Sequence, residues 1–521
     1  MPGQKPGLDT LSGRSFWAGG MLLALGFASA KLVLHCVFNN RYGYFRDEFD
    51  YLACGNHLAW GYVDQPPLIP FLARVSRLVL GDSLRSVRFV AALASSAVIL
   101  VAAMIARELG GRAFAIALTA TTILIAPIFL SDGSLFTTNC LEPILWTVCI
   151  YFATVAIKRN EPRFFLWFGV VAGIGLEEKY SIAVLGLGIV VGLLLTQERR
   201  AFATRWIWLG GALSFLIFLP NLLWNVHHDW PFGQLMANIR ASGRDVRVPP
   251  LEYLARQVLL VHPLSTPVWI TGLVALLFSA RFKTYRFLGI AYVTAFIVFT
   301  TCKGKDYYLT PIYPALLAAG AVVIEGAVAR KGLRWTKPAL LTVLFLGGGW
   351  LAPITVPMLS VDHFITYMNA LPFSIPRSEK SHLRALLPQH YADQFGWEEM
   401  VAVVGQAWAL VPPEERHDCG IFAQDYGQAG AVDFFGRRYG LPPALSGHQT
   451  YFLWGPRGYS GNCLIVLDDT REALERLFEQ VAYVGTSDNP YALEREIPVF
   501  LCRGPRFGTL ADLWPRTKKW D

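Results

Sequence analysis

The reading of the fold rests on Phe16-Trp-Ala-Gly-Gly-Met-Leu-Leu-Ala-Leu-Gly-Phe-Ala-Ser-Ala-Lys-Leu-Val-Leu-His-Cys-Val-Phe38 and the segment soon after it, Tyr44-Phe-Arg-Asp-Glu-Phe-Asp-Tyr51. The first run is long enough to cross a bilayer, too long for a signal-peptide core, and lacks a convincing small-residue cleavage site. It reads as an uncleaved first span. The second packs Asp47, Glu48, Asp50 and Arg46 just outside that span. Acidic side chains near a bilayer are costly, about 2.5–3.5 kcal/mol each at the helix centre on insertion scales. They persist there chiefly as functional groups or as salt-bridged structure.

Composition agrees with the first span. The 521 residues are 54% hydrophobic and 16% charged, with a mean hydropathy of +0.39. That is too apolar for a soluble globular chain and indicates a polytopic membrane protein. About eleven apolar segments are long enough to span, near 16–38, 87–107, 113–131, 137–157, 163–178, 180–196, 206–224, 262–280, 285–301, 308–328 and 338–358. The net charge of +8 does not signal nucleic acid, because the cations fall in short clusters between apolar runs.

Those clusters orient the chain. With a cytoplasmic N-terminus, the inner connections hold Arg107/Arg112, Lys158/Arg159/Arg163, Arg199/Arg200/Arg205, Arg281/Lys283/Arg286 and Arg330/Lys331/Arg334/Lys337. The short outer loops hold only Lys179, Lys303 and Lys305, the expected positive-inside bias. Two longer outer loops run against it, with arginines between 41 and 88 and Arg240, Arg244, Arg247 and Arg256. Every unusual polar cluster then lies on the outer face. Chemistry there cannot draw on cytoplasmic nucleotide sugars, so an activated donor has to be carried across by a lipid.

The spacing predicts a transmembrane domain over 1–359, with the first outer loop at 39–86, and a soluble α/β domain over 360–521. In Pro67–Asp82, Leu68, Phe71, Leu72, Val75, Leu78 and Val79 share one helical face opposite Arg74 and Arg77, which suits a helix lying in the interface. In the soluble domain, helical stretches at 397–410, 426–439 and 471–480 alternate with apolar runs Gly420–Ala423, Cys463–Leu467 and Pro498–Cys502. Cys419, Cys463 and Cys502 could pair there, in an arrangement the odd count leaves open. No cysteine spacing indicates a metal framework.

Several motifs carry a family likeness. They are Arg46-Asp-Glu-Phe-Asp-Tyr-Leu52, Gly61-Tyr-x-x-x-Pro-Pro67, Gly81-Asp-Ser-Leu-Arg-x-x-Arg88, Thr137-Thr-Asn-Cys-Leu-Glu-Pro-x-x-Trp146, Glu178-Lys-Tyr-Ser181 and Lys305-x-Tyr-Tyr-Leu-x-Pro-x-Tyr-Pro314. Their order resembles the polyprenol-phosphate-sugar-dependent membrane glycosyltransferases of family 39, among them protein O-mannosyltransferases and lipid A aminoarabinose transferases. The tail also resembles the soluble part of some bacterial members, at Tyr426-Gly-Gln-Ala-Gly430, Tyr439-Gly-Leu-Pro442, Ser446-Gly-His448 and Trp454-Gly-Pro456. These tail motifs have no assigned chemistry.

The resemblance implies the type C glycosyltransferase fold in a bacterial inner membrane, with the soluble domain periplasmic. It implies an inverting transfer from a polyprenyl-phosphate sugar to a glycan, lipid or protein acceptor. Asp47 is then the base, since an alcohol is a poor nucleophile until a carboxylate takes its proton. Glu48 positions the acceptor or binds a divalent cation, the one cofactor left open. The competing reading of this cluster is a salt-bridged cap with Arg46. Glu142 is the second acidic candidate, although relatives often carry an aspartate nearer Asn139; otherwise it is a buried, hydrogen-bonded carboxylate. Lys179, Lys303 and Lys305 with Tyr307 and Tyr308 make a lipid-phosphate site, or else the lysines snorkel. Gln65 stands where relatives often carry Lys or His, which leaves Arg46 or His57 for the donor phosphate. His57, Tyr62 and Gln65 are thus candidate donor or acceptor contacts. His227, His228, Asp229 and His262 do not make a convincing metal set. The rival class is a transporter or flippase, which would place its charges near the midplane rather than at one face.

Overall fold

The computed structural model describes residues 9–243, 248–375 and 385–520, with side chains from Gly20 onward. Arg244 and Arg247, which count against the charge bias, lie outside the described residues, as do residues 1–8. The chain divides into two compact units. One comprises residues up to Asn39, Arg85–Pro220 and Arg247–Ser360; the other comprises Asn40–Leu84, Asn221–Val246 and Val361–Asp521.

The first unit is helical, and each of the eleven apolar segments overlaps one or more helices, the 137–157 segment only from Glu142 onward. Among the described residues, six helices are long and apolar enough to cross a membrane, and up to nine do so if each of three bent pairs is one span. The expected continuous span at 113–131 is instead two helices, Ala113–Ile125 and Pro127–Ser134, bent by 62°. The break is at Ala126, which is extended with ψ 122°. A residue before proline is driven out of the α region, and Pro127 has no N–H to continue the ladder. The segments 180–196 and 262–280 are likewise parts of bent pairs, at 111° and 101°.

Small residues let the helices of this unit approach closely. A Cβ on Gly188 of Ile182–Leu194 would sit 2.9 Å from the Ala291 carbonyl oxygen of Arg286–Thr301. The Ala113–Ile125 helix has no local side-chain cap. Its first N–H groups are met from Tyr313–Arg330, where Glu325 accepts from Arg112 N (2.7 Å), Phe114 N (3.0 Å) and Ala115 N (3.1 Å). A carboxylate at a helix N-terminus answers both the orphan donors and the dipole.

The second unit contains a five-stranded sheet built from β1 (Cys419–Ala423), β2 (Leu445–Ser446), β3 (Cys463–Leu467), β4 (Phe478–Ser487) and β5 (Ile497–Pro505). The strand order is β2-β1-β3-β5-β4. β1 pairs in parallel with β2 and β3, while β5 pairs antiparallel with β3 and β4. Cys419 and Cys463 are register partners on β1 and β3 and form a disulfide, leaving Cys502 as a free, buried thiol. The helix expected over 471–480 ends at Leu477, and Phe478 onward is strand. β-Branched and aromatic residues recur through Val481, Tyr483 and Thr486, and pairing with β5 prevails over local helix preference.

The Arg46–Asn56 and Leu68–Leu80 helices belong to this same unit. Phe49 packs against Trp397 (5.6 Å) and Phe435 (5.7 Å), and Tyr44 against Phe434 (4.7 Å). In Leu68–Leu80, Ile69 and Ala73 face inward, while Phe71, Val75, Leu78 and Val79 are exposed. The apolar stripe seen in the sequence is therefore left uncovered within its unit.

Candidate functional site

In the second unit, the Arg46–Asn56 helix sets Asp47, Asp50 and Cys54 on neighbouring turns of one face. Asp47 is the accessible acid, its side chain 30% exposed. Its Oδ1 accepts a hydrogen bond from the Tyr426 hydroxyl at 2.7 Å and lies 3.6 Å from Arg46 Nε. Asp50 is buried, and its Oδ2 accepts from Gln65 Nε2 at 3.0 Å. Asp64, in the segment just before Pro66-Pro67, keeps Oδ1 buried with no hydrogen-bond partner among the described residues. Burial, followed by repulsion from Asp64 and Asp47, pushes the Asp50 carboxyl well above the usual carboxylate range. Burial, with repulsion from Asp47, raises Asp64 to about 7. Crowded carboxylates resist full ionisation together.

Other predicted residues of this unit have supporting positions. Glu48 is buried, and its carboxylate accepts from the Phe45 N–H at 2.8 Å, closing the N-terminus of its own helix. Arg46 lies 3.8 Å from Glu494 and has its guanidinium 5.5 Å from the Tyr426 ring centre. The Tyr62 hydroxyl donates to the Cys54 carbonyl and accepts from Ala59 N, both at 3.1 Å. Gln65 is buried against Asp50. His57 is exposed, its ring 4.5 Å from that of Trp454.

In the first unit, Lys179 sits between the Phe164–Leu176 and Ile182–Leu194 helices. Its Nζ donates to Asn139 Oδ1 at 2.6 Å and Glu142 Oε2 at 2.9 Å. Ser181 donates to the other Glu142 oxygen. The same Nζ lies 4.4 Å from the Tyr308 ring centre and 5.7 Å from that of Tyr307. Two residues predicted for separate roles, Glu142 and Lys179, thus form one ion pair. Lys305 begins the Asp306–Ile312 turn, where its carbonyl accepts from the Tyr253 hydroxyl at 3.0 Å, and Arg256 pairs with Asp306 at 3.1 Å. Lys303 is exposed at a left-handed position, φ 57°.

Among the described residues, no three His, Cys, Asp or Glu side chains gather as a metal site. His228 Nδ1 contacts the Trp224 carbonyl at 2.8 Å, and His262 Nδ1 accepts from Leu264 N at 3.1 Å. Sequence reasoning missed Asp64, although it lies inside a quoted motif, and it missed the contact made by Tyr426. It also missed Ser181, and Asn139 as a partner of Lys179.

A helical membrane body together with this mixed-sheet unit defines a type C glycosyltransferase fold. ArnT from Cupriavidus metallidurans has that fold, with a TM-score of 0.63 at 17% identity in the apo state, covering 91% of this chain and 97% of that one. The same enzyme bound to undecaprenyl phosphate gives a TM-score of 0.64 at the same identity and coverage. Residues 64–224 match the family model described as dolichyl-phosphate-mannose-protein mannosyltransferase. The lipid A galacturonosyltransferase RgtD of Rhizobium johnstonii is 26% identical over 218 residues, 40% of this chain. That match spans 44% of the curated relative's length. Over residues 64–224 the chain is thus similar to that family, and over nine-tenths of its length it shares the ArnT fold.

Proposed function

We propose that the protein is an inverting glycosyltransferase that moves a sugar from a polyprenyl-phosphate donor to a hydroxyl of an envelope lipid or glycan. The observation that carries this reading is Asp47: a partly exposed carboxylate, held through one oxygen, beside two acids kept in buried surroundings. Asp47 takes the acceptor hydroxyl's proton as the new C–O bond forms at the anomeric carbon. The bond from that carbon to the phosphate oxygen breaks on the opposite side, so configuration inverts. Base catalysis of this kind is typically worth about 10²–10⁴-fold. The leaving polyprenyl phosphate departs as an anion and needs no separate acid.

Phosphate binding is assigned to Lys179 with Tyr307 and Tyr308, and to Lys303 and Lys305 in the segment just before those tyrosines. A lysine ammonium is a compact charge suited to phosphate. Arg46, held by carboxylates of its own unit, is assigned to Asp47 rather than to the donor. The undecaprenyl phosphate of the ArnT complex supports the donor class, and the lipid A relative supports a lipid or glycan acceptor over a protein. The soluble domain is assigned to the periplasm of a bacterial inner membrane. Its Cys419–Cys463 disulfide suits an oxidising compartment.

The test is transfer by protein reconstituted in liposomes with a panel of polyprenyl-phosphate sugars and an envelope lipid extract. Product of inverted anomeric configuration supports the proposal. No transfer from any lipid-linked donor, with passage of label across the bilayer, favours the transporter reading.

A further inference from the structure

The Tyr426-Gly-Gln-Ala-Gly430 motif has no part in the reaction described so far. Tyr426 opens the Tyr426–Phe435 helix behind its N-cap Asp425, whose Oδ1 accepts from Gln428 N at 2.9 Å. That helix packs on Arg46–Asn56 at a separation that only glycine permits. A Cβ on Gly430 would lie 2.7 Å from Phe49 Cβ and 2.9 Å from its carbonyl oxygen, and one on Gly427 would collide with Arg46 Cγ. Interiors are too closely packed to absorb such overlap without a shift. The two glycines therefore fix the register that brings Tyr426 to Asp47.

The tyrosine is itself held. His448 stacks on its ring with centres 4.9 Å apart and planes 22° apart, and His448 Nδ1 lies 3.3 Å from Tyr426 N. The hydroxyl donates to Asp47 Oδ1 and, among the described residues, Asp47 Oδ2 has no hydrogen-bond partner. One oxygen is clamped and the other is left to accept a proton.

The charges around Asp47 make the clamp useful. Asp50 on its own helix and Asp64 on the following loop repel negative charge there. Arg46 favours it, while Asp425, Glu494 and Asp393 draw on that same arginine. Among the described residues, Tyr51 and Tyr426 also face it. A hydroxyl donating to a carboxylate favours the ionised form.

We propose that Tyr426 is a positioning residue for Asp47: the soluble domain fixes the base's rotamer and keeps it ready to accept a proton, with Gly427 and Gly430 setting the approach. The proposal rests on the reading of Asp47 as base.

The experiment is a pH profile of transfer by full-length protein in liposomes, using undecaprenyl-phosphate galacturonic acid and undecaprenyl-phosphate aminoarabinose as donors. Tyr426→Phe is expected to lower kcat about tenfold or more. It should leave the donor KM within about twofold and move the acid limb up by about one pH unit. In an Asp47→Glu background, where the carboxylate is displaced, the same change should cost much less than tenfold. Replacement of Tyr426 by 3-fluorotyrosine, a stronger donor that keeps the ring, should move the acid limb down; it decides the matter if the phenylalanine variant fails to fold. An inactive Asp47→Asn protein alongside Tyr426 variants of unchanged kcat and pH profile overturns the inference and leaves the base intact. Full transfer by Asp47→Asn removes both.

Discussion

Lys179 and Glu142 form one largely buried ion pair, Nζ to Oε2 at 2.9 Å, with Glu142 buried, Lys179 half-buried and the Tyr308 ring centre 4.4 Å from the same ammonium. Removing one partner of a buried pair strands the other charge and typically costs about 3–5 kcal/mol, whereas removing both can be nearly neutral. Lys179→Met and Glu142→Gln should each lower the melting temperature of the purified protein, and the double variant should recover much of the loss. If Lys179 also holds the donor phosphate, the double variant recovers stability but not affinity for undecaprenyl phosphate. Calorimetry and lipid binding measured together separate the two roles.

The acids beside Asp47 make stability depend on pH. Burial raises Asp64 to about 7, above its unfolded value of about 3.9. Between those values the native state binds more protons than the unfolded one, so stability falls as pH rises through that window. Asp64→Asn should flatten this slope, leaving the melting temperature nearly unchanged at pH 4 and raising it at pH 8. An unaltered slope would mean that Asp64 titrates as an ordinary surface acid.

Close helix contact gives a packing test. Gly430→Ala puts a Cβ 2.7 Å from that of Phe49 and should cost about 1–3 kcal/mol by overpacking. Gly186→Ala meets nothing within 4 Å and should be neutral or slightly stabilising. Equal effects on thermal unfolding would argue against the described contact.

The Cys419–Cys463 bond links β1 to β3, so reduction should destabilise the soluble domain. Losing such a bond typically costs about 2–4 kcal/mol. Mass spectrometry of alkylated, non-reduced protein should find these two thiols protected. Labelling of both at native rates would contradict the bond.

Much of the membrane body was legible because long apolar runs leave few alternatives in a bilayer. The bend at Ala126 was written in Pro127, yet the run 113–131 is apolar throughout, and hydropathy alone does not register a break. Asp47 was legible as one of a cluster of unusual charges in the motif around it. Its partner Tyr426 was not, since the pair is separated by 379 residues and the contact depends on Gly427 and Gly430, whose meaning appears only when Phe49 and Arg46 lie against them. Glu142 and Lys179 were each legible as unusual charges. Their pairing depends on the turn between the Phe164–Leu176 and Ile182–Leu194 helices, which hydropathy places only to within a few residues.

The most direct test of the chemistry is single-turnover transfer from a lipid-linked donor by Asp47→Asn and Asp47→Glu, with binding of undecaprenyl phosphate measured on the same samples. The expected result is unchanged binding, with transfer reduced at least about a hundredfold in Asp47→Asn and partly retained in Asp47→Glu. Transfer by Asp47→Asn at the wild-type rate would contradict the assignment of Asp47 as the base.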